Sequence, residues 1–156
     1  MVFYMPGIDL KVKKIEHDGV AGILPKRGTA GSAGMDLFAA VKEPVTIAPG
    51  ELVKIPSGIA IGLPSPEYVG LVYARSGLAV KHGIALSNGV GVIDSDYRGE
   101  IIVGLCNLSN SPYTIEPQER IAQLVIAPVF MANIIEADDL DETGRASGGF
   151  GSTGRH

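Results

Sequence analysis

The sequence predicts an all-β fold, a jelly-roll-like sandwich or barrel with one short helix and a flexible glycine-rich C-terminal tail. Glycine and proline, 21 and 10 of the 156 residues, are spread along the whole chain. Long helices tolerate that spacing poorly, whereas short strands joined by tight turns require it. Apolar runs recur at residues 8–12, 52–63, 68–73, 101–108 and 121–130, nearly all bounded or interrupted by glycine or proline. Only Ser76–His82 reads as helical, because prolines from Pro44 to Pro128 break most alternatives. The length suits one domain with its own core, residues 1–144, with 145–156 as a lid of the same domain.

Composition narrows the function classes. The net charge is −4 with no basic run, which removes the electrostatic case for binding nucleic acid. A single cysteine, Cys106, excludes an internal disulfide and a Cys-rich zinc site, and its apolar surroundings predict a buried structural thiol. His17, His82 and His156 stand apart from one another, so no protein-ligated metal is expected. No apolar segment approaches the roughly 18 residues of a membrane span, and residues 1–6 are too short for a signal peptide. The expectation is a soluble, cytoplasmic protein with no membrane partner.

In chain order, the first unusual segment is 29–40, where small residues crowd in front of Asp36 at the start of a strand. That carboxylate either satisfies nearby backbone or an arginine, or orients water bound to Mg²⁺, a hard ion that keeps several waters. Next, Arg75 closes a strand and Ser76-Gly77 opens the helix. The pair is either an anion site or an ordinary serine cap beside a surface arginine. Asn88 either presents a donor and an acceptor side by side to one edge of a pyrimidine ring or is a structural turn residue.

Residues 91–100, Gly-Val-Ile-Asp-Ser-Asp-Tyr-Arg-Gly-Glu, read as a β-hairpin. Asp94 sits where the strand becomes the turn, as either a rigidly held general base or a solvated turn acid. Tyr97 could pack on a sugar face or simply shape the turn. Strand alternation puts Arg120 and Gln123 on opposite faces, one toward the anion site and the other bracing the fold. In the tail, Gly149, Gly151 and Gly154 match G-x-G-x-x-G, but nothing after them can form a helix, so a dinucleotide-binding reading fails. The tail is a floppy terminus or a mobile lid whose Phe150 stacks on a base.

Five stretches in order carry a resemblance: Ala33-Gly34-Met35-Asp36-Leu37, Arg75-Ser76-Gly77-Leu78-Ala79, residues 91–100, residues 119–124 and residues 145–154. Together they resemble the motifs of the trimeric dUTPase (deoxyuridine triphosphate nucleotidohydrolase) family. Residues 1–30 carry no motif, and Ala146 departs from the glycine usual after the motif arginine. The resemblance implies a jelly-roll homotrimer that converts dUTP and water to dUMP and pyrophosphate, lowering dUTP and supplying the dTMP precursor. Each active site would be shared: Asp36, Arg75, Ser76 and Gln123 from one subunit, residues 88–102 from a second and the tail from a third. It also implies roles. Asp94 activates the water and bonds the 3′-hydroxyl, while Ser76 and Gln123 contact phosphates beside Arg75 and Gly77. Arg145, Ser152 and Thr153 hold the γ-phosphate, and Phe150 covers the uracil beside Gly151. Mg²⁺ is held chiefly by the triphosphate, with Asp36 acting through water.

The chemistry agrees with those roles. Phosphoryl attack asks the protein mainly for positioning and charge neutralisation, so one carboxylate base with arginines suffices. Backbone groups of Val92, Ile93 and Ile102, beyond Asn88 and Gly91, could pair with the pyrimidine edge and reject a mismatched base. Two rivals remain. A dCTP deaminase would need a glutamate where this chain has Gly104, and a non-catalytic nucleotide-binding module would not need Asp94, Arg75 and the tail together.

Overall fold

The computed structural model describes residues 7–144, 146 and 147. Its first elements are β1 (Lys11–Lys14), β2 (Glu16–His17), β3 (Val20–Ala21), β4 (Lys26–Arg27), β5 (Met35–Phe38), β6 (Val45–Ile47) and β7 (Leu52–Pro56). There follow β8 (Ile59–Gly62), β9 (Tyr68–Ala74), α1 (Ser76–His82), β10 (Ile84–Leu86), β11 (Gly91–Ile93), β12 (Ile102–Asn107), β13 (Tyr113–Ile115) and β14 (Arg120–Pro128). A five-stranded sheet runs β11-β9-β14-β5-β4 and a three-stranded sheet runs β10-β12-β7. The pairs β1-β8, β13-β6 and β2-β3 complete the arrangement, and strand neighbours are antiparallel. The layers form a sandwich and not a closed barrel.

Alternating burial along the strands builds one core. Leu37, Val72 and Leu124 come from the larger sheet and meet Ile55, Ile84, Val103 and Leu105 of the smaller one. Each such side chain contributes roughly 1.5–3 kcal/mol on burial. Helix α1 has the predicted bounds, and Gly83 ends it in the left-handed conformation (φ 69°), donating its N–H to the Ala79 carbonyl. The N-cap is Arg75, extended and without a side-chain cap, so Ser76 lies inside the first turn instead of capping it. Cys106 is only partly buried, its Sγ donating to the Ala85 carbonyl at 3.6 Å. Among the described residues no helix is long and apolar enough to cross a membrane.

The hairpin expected at residues 91–100 does not form. Gly91–Ile93 pair with β9, whereas Ile102–Asn107 pair with β7 and β10, so the two flanks enter different sheets. Ile101 makes the crossing: its N–H donates to Ile59 at 2.9 Å and its carbonyl accepts from Ser57 at 3.2 Å. Residues 94–101 are therefore a loop between layers, tightened by a turn from the Tyr97 N–H to the Asp94 carbonyl.

Asn107, fully buried, ends β12. Its Nδ2 donates to the Ile47 and Ser111 carbonyls at 2.9 and 2.8 Å. Its Oδ1 accepts from the Ser109 N–H and hydroxyl at 2.9 and 2.8 Å. Asn107→Ala leaves the buried Ile47 carbonyl and three partly buried bonds without their partner and is expected to lower stability by about 2–3 kcal/mol. An unchanged urea midpoint would refute that role.

Candidate active site

One open cleft of about 440 Å³ gathers Gly28, Ser32, Ala33, Gly34, Asp36, Arg75, Ser76, Gly77, Arg120 and Gln123. Strand β5 brings Asp36, the end of β9 brings Arg75, the start of α1 brings Ser76 and Gly77, and β14 brings the last two. Asp36 is gripped from both sides: its Oδ1 accepts from Arg75 Nε at 2.9 Å and its Oδ2 from Arg120 Nη1 at 3.4 Å. Arg75 Nη1 also donates to the Arg120 carbonyl at 3.2 Å. Two guanidiniums around one carboxylate leave the cleft net positive, a fit for an anion such as a phosphate chain.

Arg120 and Gln123 share this cleft, contrary to the alternation expected of them. The pairing between β14 and β5 shifts between Arg120 and Ala122, a bulge that turns consecutive residues Ile121 and Ala122 both into the core. That extra residue swings Arg120 to the side of Gln123. Gln123 Nε2 donates to the Ala74 carbonyl at 3.0 Å. Gly34 makes the room, since a Cβ there would fall 2.3 Å from Gln123 Oε1. Arg27 closes the near rim, its Nη1 donating to the Ser32 and Ala33 carbonyls.

The start of β14 is pinned by Glu119, which accepts the Glu116 N–H at 2.8 Å and the Tyr113 hydroxyl at 2.6 Å. The His82 ring lies against Tyr113 with centroids 4.8 Å apart. Burial, then the hydrogen bond and charge of Glu119, push the Tyr113 pKa from 10.0 up to about 12, against an opposing pull from Arg75. A phenol whose folded pKa is raised stabilises the fold fully below its unfolded pKa and loses that contribution as pH rises through the folded one. The stability difference between the native chain and Tyr113→Phe is therefore expected to hold up to about pH 10 and shrink above it. Urea unfolding across that range checks it, and a flat difference would contradict it.

The Asp94 loop lines a separate, smaller hollow of about 200 Å³ with Val92, Ile93, Tyr97, Glu100, Ile101 and Ile102. Asp94 is exposed, and among the described residues no side chain hydrogen-bonds its carboxylate. Arg98 Nη1 braces the turn through the Ser95 and Tyr97 carbonyls at 2.7 and 2.9 Å. The Tyr97 hydroxyl donates to the Glu100 carbonyl at 2.9 Å. Its ring folds over Gly99, where a Cβ would fall 2.3 Å from the hydroxyl oxygen. An adjoining recess is lined by Asn88, Gly91, Val92, Ile93 and Ile102.

The chain thus assembles its candidate residues in two groups. Asp36, Arg75, Ser76, Gly77 and Gln123 form one; Asn88, Gly91, Val92, Ile93, Asp94, Tyr97 and Ile102 form the other. The anion cleft and the Asp94 hollow share no lining residue. Arg145, Phe150, Gly151, Ser152 and Thr153 lie outside the described residues. Sequence reasoning left Arg120 undecided between two roles, and its proximity to Asp36 decides for the cleft.

Known proteins match this chain along most of its length. The family model described as dUTPase matches residues 21–154. The deoxyuridine 5′-triphosphate nucleotidohydrolase of Desulfitobacterium hafniense is 52% identical over 150 residues, 96% of this chain and 99% of that protein. That of Chromobacterium violaceum is 53% identical over 132 residues, 85% and 88% of the two chains. Among solved structures, the dUTPase of Staphylococcus bacteriophage 80alpha with dUPNHPP superposes at a TM-score of 0.82 and 28% identity, covering 94% of this chain and 98% of that one. With the motif residues in place and the match spanning both clefts, the chain belongs to the dUTPase family.

Proposed function

We propose that this chain hydrolyses dUTP to dUMP and pyrophosphate as a homotrimer whose active sites are each shared between subunits. The observation that carries the reading is the division of labour on one chain: a net-positive anion cleft in one place, and a carboxylate loop beside a base-sized recess in another. A substrate with both a triphosphate and a pyrimidine needs both. Pairing the cleft of one subunit with the loop of its neighbour supplies them.

In that site, Arg75, Ser76, Gly77 and Gln123 take the phosphates, and Arg120 adds a second cation. Backbone groups of Gly91, Val92, Ile93 and Ile102, with Asn88, read the uracil edge, while Tyr97 packs on the deoxyribose. Asp94 withdraws a proton from the attacking water and bonds the sugar 3′-hydroxyl. Arg145, Phe150, Gly151, Ser152 and Thr153 close over the γ-phosphate and the base. Positioning and charge neutralisation then do most of the chemistry.

The residues fit a Mg²⁺ ion that arrives on the triphosphate. Asp36 is already held by two guanidiniums, and among the described residues no three His, Cys, Asp or Glu side chains gather as a metal site. Asp36 would meet the ion through its waters, and the ion would neutralise phosphate charge. Trimer assembly is supported by the apolar stretch after β14, where Phe130, Ile134 and Ile135 are 96%, 91% and 85% exposed in the single chain. A deaminase is disfavoured at Gly104, where any Cβ would fall 2.4 Å from Ser87 Oγ. Acting on the deoxynucleotide pool, the enzyme would work in the cytoplasm, lowering dUTP and supplying the dTMP precursor. Incubation with dUTP and with dCTP tests the reading: pyrophosphate from dUTP and no ammonia from dCTP is expected. Absence of pyrophosphate would overturn it.

A further inference from the structure

The N-terminal strands carry no motif, yet one of them reaches the loop that presents Asp94. Glu100 ends that loop with its side chain 12% exposed and both carboxylate oxygens occupied. Oε1 accepts the Gly58 backbone N–H at 2.7 Å, and Oε2 accepts from His17 Nε2 at 2.6 Å. The Glu100 carbonyl meanwhile accepts the Tyr97 hydroxyl at 2.9 Å. One residue thus joins the turn that carries Asp94 to strand β2 and to the β7–β8 junction.

The anchor behind it is firm. The Ile15 N–H donates to the Gly58 carbonyl at 2.7 Å, and the Gly22 N–H donates to Ile15 at 3.0 Å. Gly58 adopts φ +68°, and its backbone meets that of Gly22 so closely that a Cβ on Gly22 would fall 1.7 Å from the Gly58 oxygen. The β2–β3 hairpin therefore rests on the same glycine whose N–H holds Glu100. The 94–101 loop has no strand ladder across it, so this clamp substitutes for the rigidity that a paired hairpin would have given.

We propose that Glu100 is a positioning residue for Asp94, and that His17 is its partner, making the N-terminal hairpin a brace for the catalytic loop. The proposal rests on the reading of Asp94 as the base. Its signature is a split between kcat and KM. Val92 and Ile93, which read the uracil, are held independently by pairing with β9, and the phosphates bind in the other cleft. Loosening the clamp therefore misplaces the base more than it loosens the substrate, of which only the sugar rests on this loop, through Asp94 and Tyr97.

Steady-state kinetics on the full chain test this with Glu100→Ala, Glu100→Gln, His17→Ala and the Glu100→Ala/His17→Ala pair, alongside Asp94→Asn. Glu100→Ala is expected to lower kcat by about 10–100-fold, the scale of a misplacement of roughly 1 Å, with KM for dUTP little changed. Glu100→Gln, which keeps an acceptor for Gly58, should recover most of the rate. His17→Ala should lower kcat less, and the double variant should be no slower than Glu100→Ala alone, because both act through one clamp. Unchanged kcat in Glu100→Ala with Asp94→Asn inactive would overturn the clamp and leave Asp94 as the base. An active Asp94→Asn would overturn the reading of the base and the proposal with it. Should Glu100→Ala fail to fold, the milder variants decide: a normal kcat in His17→Ala, or losses that multiply between His17→Ala and Glu100→Gln, would overturn the brace.

Discussion

Replacing Asp94 by asparagine is expected to cut dUTP hydrolysis by about 10²–10⁴-fold, the usual share of a general base, while leaving fold and nucleotide binding intact. The stability half follows from exposure: Asp94 lies on a loop and its carboxylate has no side-chain partner among the described residues. Such substitutions usually stay within about 0.5 kcal/mol. The binding half follows because asparagine keeps an acceptor for the sugar hydroxyl, and the uracil-reading strand β11 pairs with β9 and not with this loop. Only the proton-accepting step is removed. Measuring kcat, KM and the thermal midpoint separates these effects. Near-normal turnover would remove Asp94 from the mechanism, and a KM rise matching the rate loss would make it a binding residue instead.

The parts of this molecule that the sequence makes legible are those fixed by local chemistry. Glycine and proline spacing pointed to the all-β class, and helix α1 was readable because Ser76–His82 is a stretch that the prolines leave unbroken. The residues of the two clefts each had a bland reading of their own, and only the five motif stretches taken in order singled them out. Long-range pairing was not legible. The flanks of residues 91–100 look like a hairpin in one dimension, but Ile101 carries the chain to a strand more than 40 residues earlier through its bonds to Ile59 and Ser57. His17 and Glu100 meet across a separation of 83 residues, which no local pattern announces. The bulge at Ile121 was hidden for a related reason. Alternation assumes an unbroken ladder, and the adjacent apolar pair Ile121-Ala122 was the one sign that it breaks.

Those two failures share a consequence for the site. The shift in β14 puts Arg120 with Asp36, and the crossing at Ile101 leaves the Asp94 stretch a loop whose hollow shares no lining residue with that cleft. Strict alternation would have sent only one of Arg120 and Gln123 to the cleft, and the bulge brings both. The separation, among the described residues, of the cleft that holds Arg75 and Arg120 from the hollow beside Asp94 is the observation behind the proposed sharing of each site between subunits.

That division gives the second large effect, a rescue by mixing. Arg75→Ala removes the guanidinium that holds Asp36 at 2.9 Å and the Arg120 carbonyl at 3.2 Å, as well as a cation facing the phosphates. Charged hydrogen bonds are worth roughly 1.5–3 kcal/mol each, so activity should fall by about 10²-fold or more. Arg75→Ala and Asp94→Asn would then each be nearly inactive as pure proteins. If a site takes Arg75 from one subunit and Asp94 from a neighbour, unfolding and refolding the two together creates sites with both residues native. Random assembly of equal amounts makes that about a quarter of all sites, since each of two independent positions is native half the time. Activity near a quarter of the native value is therefore expected after co-refolding, and none after mixing the folded proteins without exchange. Co-refolded protein no more active than the pure variants, with trimers present by light scattering, would mean that both residues serve the same subunit's site.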